Sequence, residues 1–197
     1  AYPEGVIDPR VTLLSFWRDD SPIAVLSFYA VHPQSYYLTK IANPAFPGLA
    51  RYLRELEVPD AIHVHFNGAG ANVTAGKYND GSKENRLILA QRLADGMKEA
   101  WENTKITTIS GNDIDWKTAY VDLPIAESVA QIRQEMPDKD MRWRTNYLQK
   151  LAWKERMESG YSNPISCLYL GDTRILLLPG ELFVEYLEHV RIGPRAV

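Results

Sequence analysis

The stretch Ile23-Ala24-Val25-Leu26-Ser27-Phe28-Tyr29-Ala30-Val31-His32-Pro33 decides how the rest of the chain is read. Its β-branched and aromatic side chains make a strand, and the strand halts at a histidine followed by proline, which cannot donate to a ladder. Upstream, Val11 to Phe16 has the same character. Arg18-Asp19-Asp20-Ser21-Pro22 lies between the two runs and supplies turn chemistry, so an antiparallel hairpin is expected.

Downstream, Leu49, Tyr52, Leu53 and Leu56 recur at helical spacing after Pro47 and predict a short amphipathic helix. Ala61 to Phe66 alternates as a strand. Gly68 to Gly76 is a small-residue loop whose backbone can approach a ligand or another strand closely. Ser82 caps the next expected helix, with Leu89, Leu93, Met97 and Ala100 or Trp101 on its apolar face before Asn103-Thr104 ends it. Further strands are expected at 106–109, 166–170 and 174–178, the last two turning at Gly171-Asp172. Further helices are expected at 127–134, at 141–157 and after Pro179-Gly180, the last carrying Glu181, Tyr186 and His189. Hairpins combined with strand-turn-helix units predict an α/β fold: a mixed β-sheet with packed helices, in one domain spanning 1–197.

The 197 residues carry a formal charge of -3 with acidic and basic side chains interspersed, which gives no footprint for nucleic acid. No apolar run approaches the roughly 20 residues of a spanning helix. Cys167 is the only cysteine, so there is neither an internal disulfide nor a cysteine-built zinc site, and any metal must be held by nitrogen and oxygen. The chain begins with neither Met nor a basic-then-apolar leader, so it is expected to be a piece of a larger protein.

Three segments share a layout in which an apolar strand ends and polar or glycine-rich residues follow at once: Ala30 to Ser35, Phe66 to Gly81, and Leu178 to Glu181. Ligands collect at the carboxyl ends of strands, where loops converge, so the three are expected to share a cleft. His32 offers an imidazole and Glu181 a carboxylate, ligand types that suit zinc; each also has a plain structural reading, as a hydrogen-bonded histidine and as an acid in a first helical turn. A catalytic zinc takes a third protein ligand. His63 and His65 are candidates, or else the polar face of a half-buried strand. Thr74 carries a hydroxyl able to act as a nucleophile or substrate contact, and Lys77, Tyr78, Asn79 and Asp80 can bind a polar substrate or solvate a turn. Asn72-Val73-Thr74 also matches the N-glycosylation pattern.

Taken in order, these motifs resemble the neutral/alkaline non-lysosomal ceramidase family. Pro3-Glu4-Gly5 to Asp8-Pro9 resembles the family's run into its first hairpin. Ala30-Val31-His32-Pro33-Gln34-Ser35, followed by the stretch Ile41 to Gly48, is similar to the segment that supplies a zinc-binding histidine. Phe66 to Gly76 resembles the glycine-rich active-site segment, and Leu178-Pro179-Gly180-Glu181 the Pro-Gly-Glu that supplies a zinc-binding glutamate. In the family's Gly-Asp-Val-Ser-Pro pattern the serine is essential; here the stretch is Ala71-Asn72-Val73-Thr74-Ala75. The resemblance implies a zinc-dependent amidohydrolase acting on N-acylsphingosine or another lipid-like amide. His32, Glu181 and His65 are then expected as metal ligands, Thr74 and Asn72 at the reacting end, and Asn67, Gly68, Gly70, Lys77 and Tyr78 as substrate contacts. It further implies a secreted or periplasmic protein, and a metal site needing a histidine and a tyrosine from outside these residues. The competing expectation is a non-catalytic or carbohydrate-binding member of the same fold, suggested by Trp17, Tyr36, Tyr37, Trp116 and Trp143. That reading requires exposed rings in a row and no converged His/Glu pair.

Overall fold

The computed structural model describes residues 5–37, 39–138 and 140–187, and of Lys77 and Arg142 the backbone alone. Helices and sheets are mixed, in two compact units: Ala1–Ile106 with Glu181–Val197, and Thr107–Gly180.

In the first unit, β1 (Thr12–Arg18) and β2 (Ser21–Tyr29) form the expected antiparallel hairpin, with a register shift between Phe16 and Trp17. The link is only Asp19-Asp20, because β2 begins before Pro22; that proline pairs beside the register shift and lies outside the ladder with β3 (Ile62–Asn67). β3 adds to β2 in parallel, from Ala24 opposite Ile62 to Tyr29 opposite Asn67. A parallel partner requires a crossover, supplied here by α1 (Ala45–Glu57). The sheet is mixed, ordered β1-β2-β3, and its two parallel strands end at one edge.

α1 starts earlier than expected and shows a different face. Phe46, Ala50 and Arg54 are buried at i, i+4, i+8, while Tyr52 and Leu56 point to solvent. Arg54 is 4 % exposed, its guanidinium paired with Glu57. A long aliphatic stem allows an arginine to lie on an inner face when its charge is matched. α2 (Lys83–Glu102) follows the expectation: Ser82 Oγ accepts from Asn85 N–H at 3.2 Å, and Leu89, Ala90, Leu93, Ala94 and Met97 pack with Phe46, Ala50 and Val31 as the core. Burial of these apolar side chains is the main stabilising term of the unit. Trp101 stacks on Trp17, with centroids 5.2 Å apart.

The second unit is an antiparallel sheet ordered β4-β5-β6, with two helices inserted between its first two strands. β4 (Ile114–Val121) pairs along its whole length with β5 (Asn163–Leu170), and β5 turns at Gly171-Asp172 into β6 (Thr173–Leu177). Gly171 takes a φ of 56°, a left-handed conformation that favours glycine. The expected strand at 106–109 is irregular chain; the strand lies at β4 instead, where β5 supplies cross-strand partners. α3 (Val129–Glu135) opens on a Ser128/Gln131 capping box, and α4 (Met141–Glu158) ends before Gly160 at φ 87°. No helix among the described residues is long and apolar enough to cross a membrane.

Candidate functional site

Parallel pairing of β2 and β3 sets the site, because the chains leaving both strands continue side by side. Gly68 N–H donates to the Tyr29 carbonyl at 2.9 Å, His32 N–H donates to the Val73 carbonyl at 2.8 Å, and His32 bridges Thr74 in parallel. The approach is close enough to demand glycine. A Cβ on Gly70 would stand 2.6 Å from the Ala30 carbonyl carbon and from the Val31 nitrogen, and one on Gly68 would meet Ala30 at 3.2 Å. Both glycines, expected as substrate contacts, thus pack the loop against the end of β2.

The segment after Pro179-Gly180 docks on this loop. Ala71 N–H donates to the Leu182 carbonyl at 2.9 Å, Asn72 Oδ1 accepts from Val184 N–H at 2.9 Å, and Asn72 Nδ2 donates to Glu185 at 2.9 Å. Val184 is 2 % exposed and seats the segment. Glu181 does not stand in a helix; residues 181–183 are irregular and helical backbone begins at 185, so a helix dipole is not what places this carboxylate. His189 lies outside the described residues.

The docking brings His32 and Glu181 together. His32 Nε2 is 3.7 Å from Glu181 Oε2, and the carboxylate side chain is 78 % exposed. The same nitrogen lies 2.9 Å from the Ala71 carbonyl; a carbonyl only accepts, so the proton is on Nε2. Two donors on a tetrahedral zinc at about 2.1 Å stand about 3.4 Å apart, so this pair fits one ion with a shift of a few tenths of an ångström. Among the described residues no set of three His, Cys, Asp or Glu side chains converges to hold a metal, and His65 does not join the pair.

His65 instead lines a cavity of about 320 Å³ with Pro33, Arg51, His63 and Asn67. Its Nδ1 lies 2.9 Å from Ser27 Oγ and its Nε2 is buried without a partner. Burial first, and then the Arg51 charge, push its pKa down to about 4 from the usual 6.5. Above pH 6.5 the imidazole is neutral whether folded or not and adds no pH dependence. Between pH 6.5 and 4 the unfolded chain takes up a proton that the fold refuses, so stability falls as pH falls. The loss is expected to reach about 3 kcal/mol at most. Denaturant melts of the chain and of His65→Gln across pH 7 to 4 check this: the variant is expected to lose most of the acid limb. His63 is buried, its Nε2 donating to the Val58 carbonyl at 3.1 Å.

The other expected site residues are spread along the loop. Thr74 is exposed and its Oγ1 accepts from Gly76 N–H at 3.0 Å, a local turn contact. Asn67 closes β3 and is exposed. Tyr78 is half exposed, with Arg92 5.4 Å from its ring centre. The side chain of Lys77 lies outside the described residues. Asn72, expected at the reacting end, spends both ends of its amide on 184 and 185. Asn72→Ala is expected to speed exchange of the Val184 amide proton by about tenfold, the value of one hydrogen bond, as hydrogen-exchange mass spectrometry of that peptide would register.

The aromatic side chains that suggested a carbohydrate-binding reading divide between the two units. Trp17 is stacked on Trp101 and Tyr36 lies under Arg86, whereas Trp116 and Tyr120 are exposed on one face of β4 and Trp143 on α4. No family model, curated protein or solved structure matches the chain.

Proposed function

We propose that this chain is part of the catalytic domain of a zinc-dependent amidohydrolase of the neutral ceramidase type, acting on N-acylsphingosine or another lipid-like amide. One observation carries the reading: the 3.7 Å separation of the His32 imidazole and the Glu181 carboxylate, delivered by segments far apart in sequence beside a glycine-rich loop. The ordered motifs of the sequence support the same reading. A purely carbohydrate-binding module would have no use for that convergence.

In this reading His32 and Glu181 hold the ion, and the remaining ligands come from outside the described residues. The bound metal supplies an activated water and polarises the scissile carbonyl. The chain's own residues do the rest. Proton transfer from Nε2 to Nδ1 of His32 frees the nitrogen that now serves Ala71. Asn72 keeps the Glu181 segment against the loop, and Thr74 presents its hydroxyl on the exposed side of that loop. The Gly68 and Ala71 amides are already spent on Tyr29 and Leu182, so any loop donor to developing negative charge must be another residue. The protein acts outside the cytoplasm, secreted or periplasmic, with no role for nucleic acid.

Metal content and amide hydrolysis of the intact chain, of His32→Ala and of Glu181→Ala test the proposal. Both variants are expected to lose bound zinc and turnover together; zinc retained at full occupancy in both would end it.

A further inference from the structure

Of the outer strand edges among the described residues, those of β1, β4 and β6 carry devices that keep an edge from pairing, and that of β3 does not. β1 has a register shift and ends on Arg18, β4 carries Asp115 and Lys117, and β6 carries Arg174. β3 reads Ile62-His63-Val64-His65-Phe66-Asn67, with no proline, no acid, no lysine or arginine, and no break in its register with β2. Gly68 N–H donates to the carbonyl of Tyr29, the residue opposite Asn67. In this parallel ladder the even residues of β3 therefore turn their backbone groups toward β2, and His63, His65 and Asn67 turn theirs to the open edge. Arg51 Nη1 donates to the His63 carbonyl at 3.3 Å, while nothing among the described residues pairs with the N–H and C=O of His65.

The cavity of about 320 Å³ lies against this edge, with His63, His65 and Asn67 on one wall. Its other wall is a single stripe of α1: Pro44, Pro47, Gly48 and Arg51, at i, i+3, i+4 and i+7. Strand edge and helix stripe thus face one space, at the lower end of the volumes that hold ligands.

We propose that the groove between the β3 edge and α1 binds an extended peptide, which adds to the sheet as a further strand. Hydrogen-bond complementarity selects this ligand: an outward N–H and C=O on every second residue is matched by another extended backbone. The cavity walls set the side chain. Pro33, Pro44 and Pro47 line the space, Arg51 is already paired with Glu55, and the His65 imidazole is neutral above its lowered pKa of about 4. The peptide residue seated there is therefore apolar rather than charged. One added chain needs the width of one strand, about 4.8 Å. A second copy of the protein would bring its own α1 to the same edge and set Arg51 against Arg51. No metal takes part, so the site stands or falls apart from the hydrolase reading.

Titration of the intact, metal-free chain with an acetylated, amidated pentapeptide of alternating threonine and valine, followed at the His65 backbone amide, tests the proposal. The peptide is expected to shift that signal saturably and, when bound, to slow exchange of its proton by about tenfold, the worth of one hydrogen bond. Two N-methylated forms are compared with it, one methylated on the threonines and one on the valines. Strand addition uses the N–H groups of one set alone, so one form is expected to lose binding and the other to bind as the parent peptide does. Asn67→Pro removes an edge N–H and no bond to β2; it is expected to weaken the peptide by about tenfold, and Asn67→Ala to leave it unchanged. Glu181→Ala should bind the peptide as the parent chain does. Should Asn67→Pro not fold, the two N-methylated peptides decide the matter on the parent chain. No response to the peptide, or binding lost in both N-methylated forms or in neither, would overturn the assignment. So would protection of the His65 amide that grows with protein concentration in the absence of peptide, because a second copy would then hold the edge.

Discussion

Gly70→Ala is expected to destabilise the protein by about 3 kcal/mol, at the upper end of ordinary overpacking costs, with loss of zinc retention alongside. The added Cβ would stand 2.6 Å from two backbone atoms and 3.0 Å from a third, the Ala30 oxygen. No flexible side chain is there to move aside, so either the loop or the end of β2 must shift. Both carry the site: the loop carbonyls of Val73 and Ala71 receive the His32 backbone and side-chain protons. Gly5→Ala is the control, since a Cβ there meets nothing within 4 Å, and its effect should stay within about 0.5 kcal/mol. Denaturant unfolding of the three proteins reads the difference directly. A Gly70→Ala protein as stable as the parent would mean that the loop does not press on Ala30 and Val31.

Glu181→Gln is expected to weaken zinc binding by more than about a hundredfold, since residues that merely support a metal ligand already account for about 10–100-fold. The amide matches the carboxylate in size but removes its charge and leaves a poor donor for zinc. Glu185→Gln is the comparison that makes the result specific. Glu185 is a second exposed carboxylate on the same short segment, bonded to Asn72 rather than to His32. If the segment's net charge alone attracted the metal, both variants would weaken it equally. If His32 and Glu181 share the ion, Glu185→Gln should change affinity only modestly. Competition titration with a chromogenic chelator separates the two outcomes, and hydrolysis of the proposed amide substrate should follow zinc occupancy.

What the sequence disclosed depended on how local each signal was. The β1–β2 hairpin was legible because two β-branched runs flank a turn-rich stretch, and the β5–β6 hairpin because Gly171-Asp172 interrupts two apolar runs. α2 was legible from its Ser82 cap and from the spacing of Leu89, Leu93 and Met97. β4 was missed in favour of the β-branched Ile106-Thr107-Thr108-Ile109, because propensity is counted within a segment while a strand exists only where a partner pairs with it. Ile114 to Val121 has that partner in β5, and its mostly exposed side chains gave no apolar run to notice. The face of α1 was misread for a related reason. Arg54 looks like a surface residue, yet pairing with Glu57 allows it to be buried, and that turns Tyr52 and Leu56 outward.

At the site, residue types and flanking motifs were enough to single out His32 and Glu181. That their segments share a cleft was expected from the strand-end layout; the means of their meeting was not legible, since it follows from parallel pairing of β2 with β3 and from docking of residues 181–187 on the loop. The bonding of Asn72 was equally hidden: a loop asparagine reads the same whether its amide faces a substrate or a neighbouring segment.

One ion bridging His32 and Glu181 is what the proposed hydrolase requires, and anomalous diffraction at the zinc edge from crystals grown with zinc tests for it directly. The expected result is a single strong peak within about 2.2 Å of both His32 Nε2 and a Glu181 carboxylate oxygen. Zinc density found only elsewhere in well-ordered crystals, with His32 Nε2 still bonded to the Ala71 carbonyl, would contradict it.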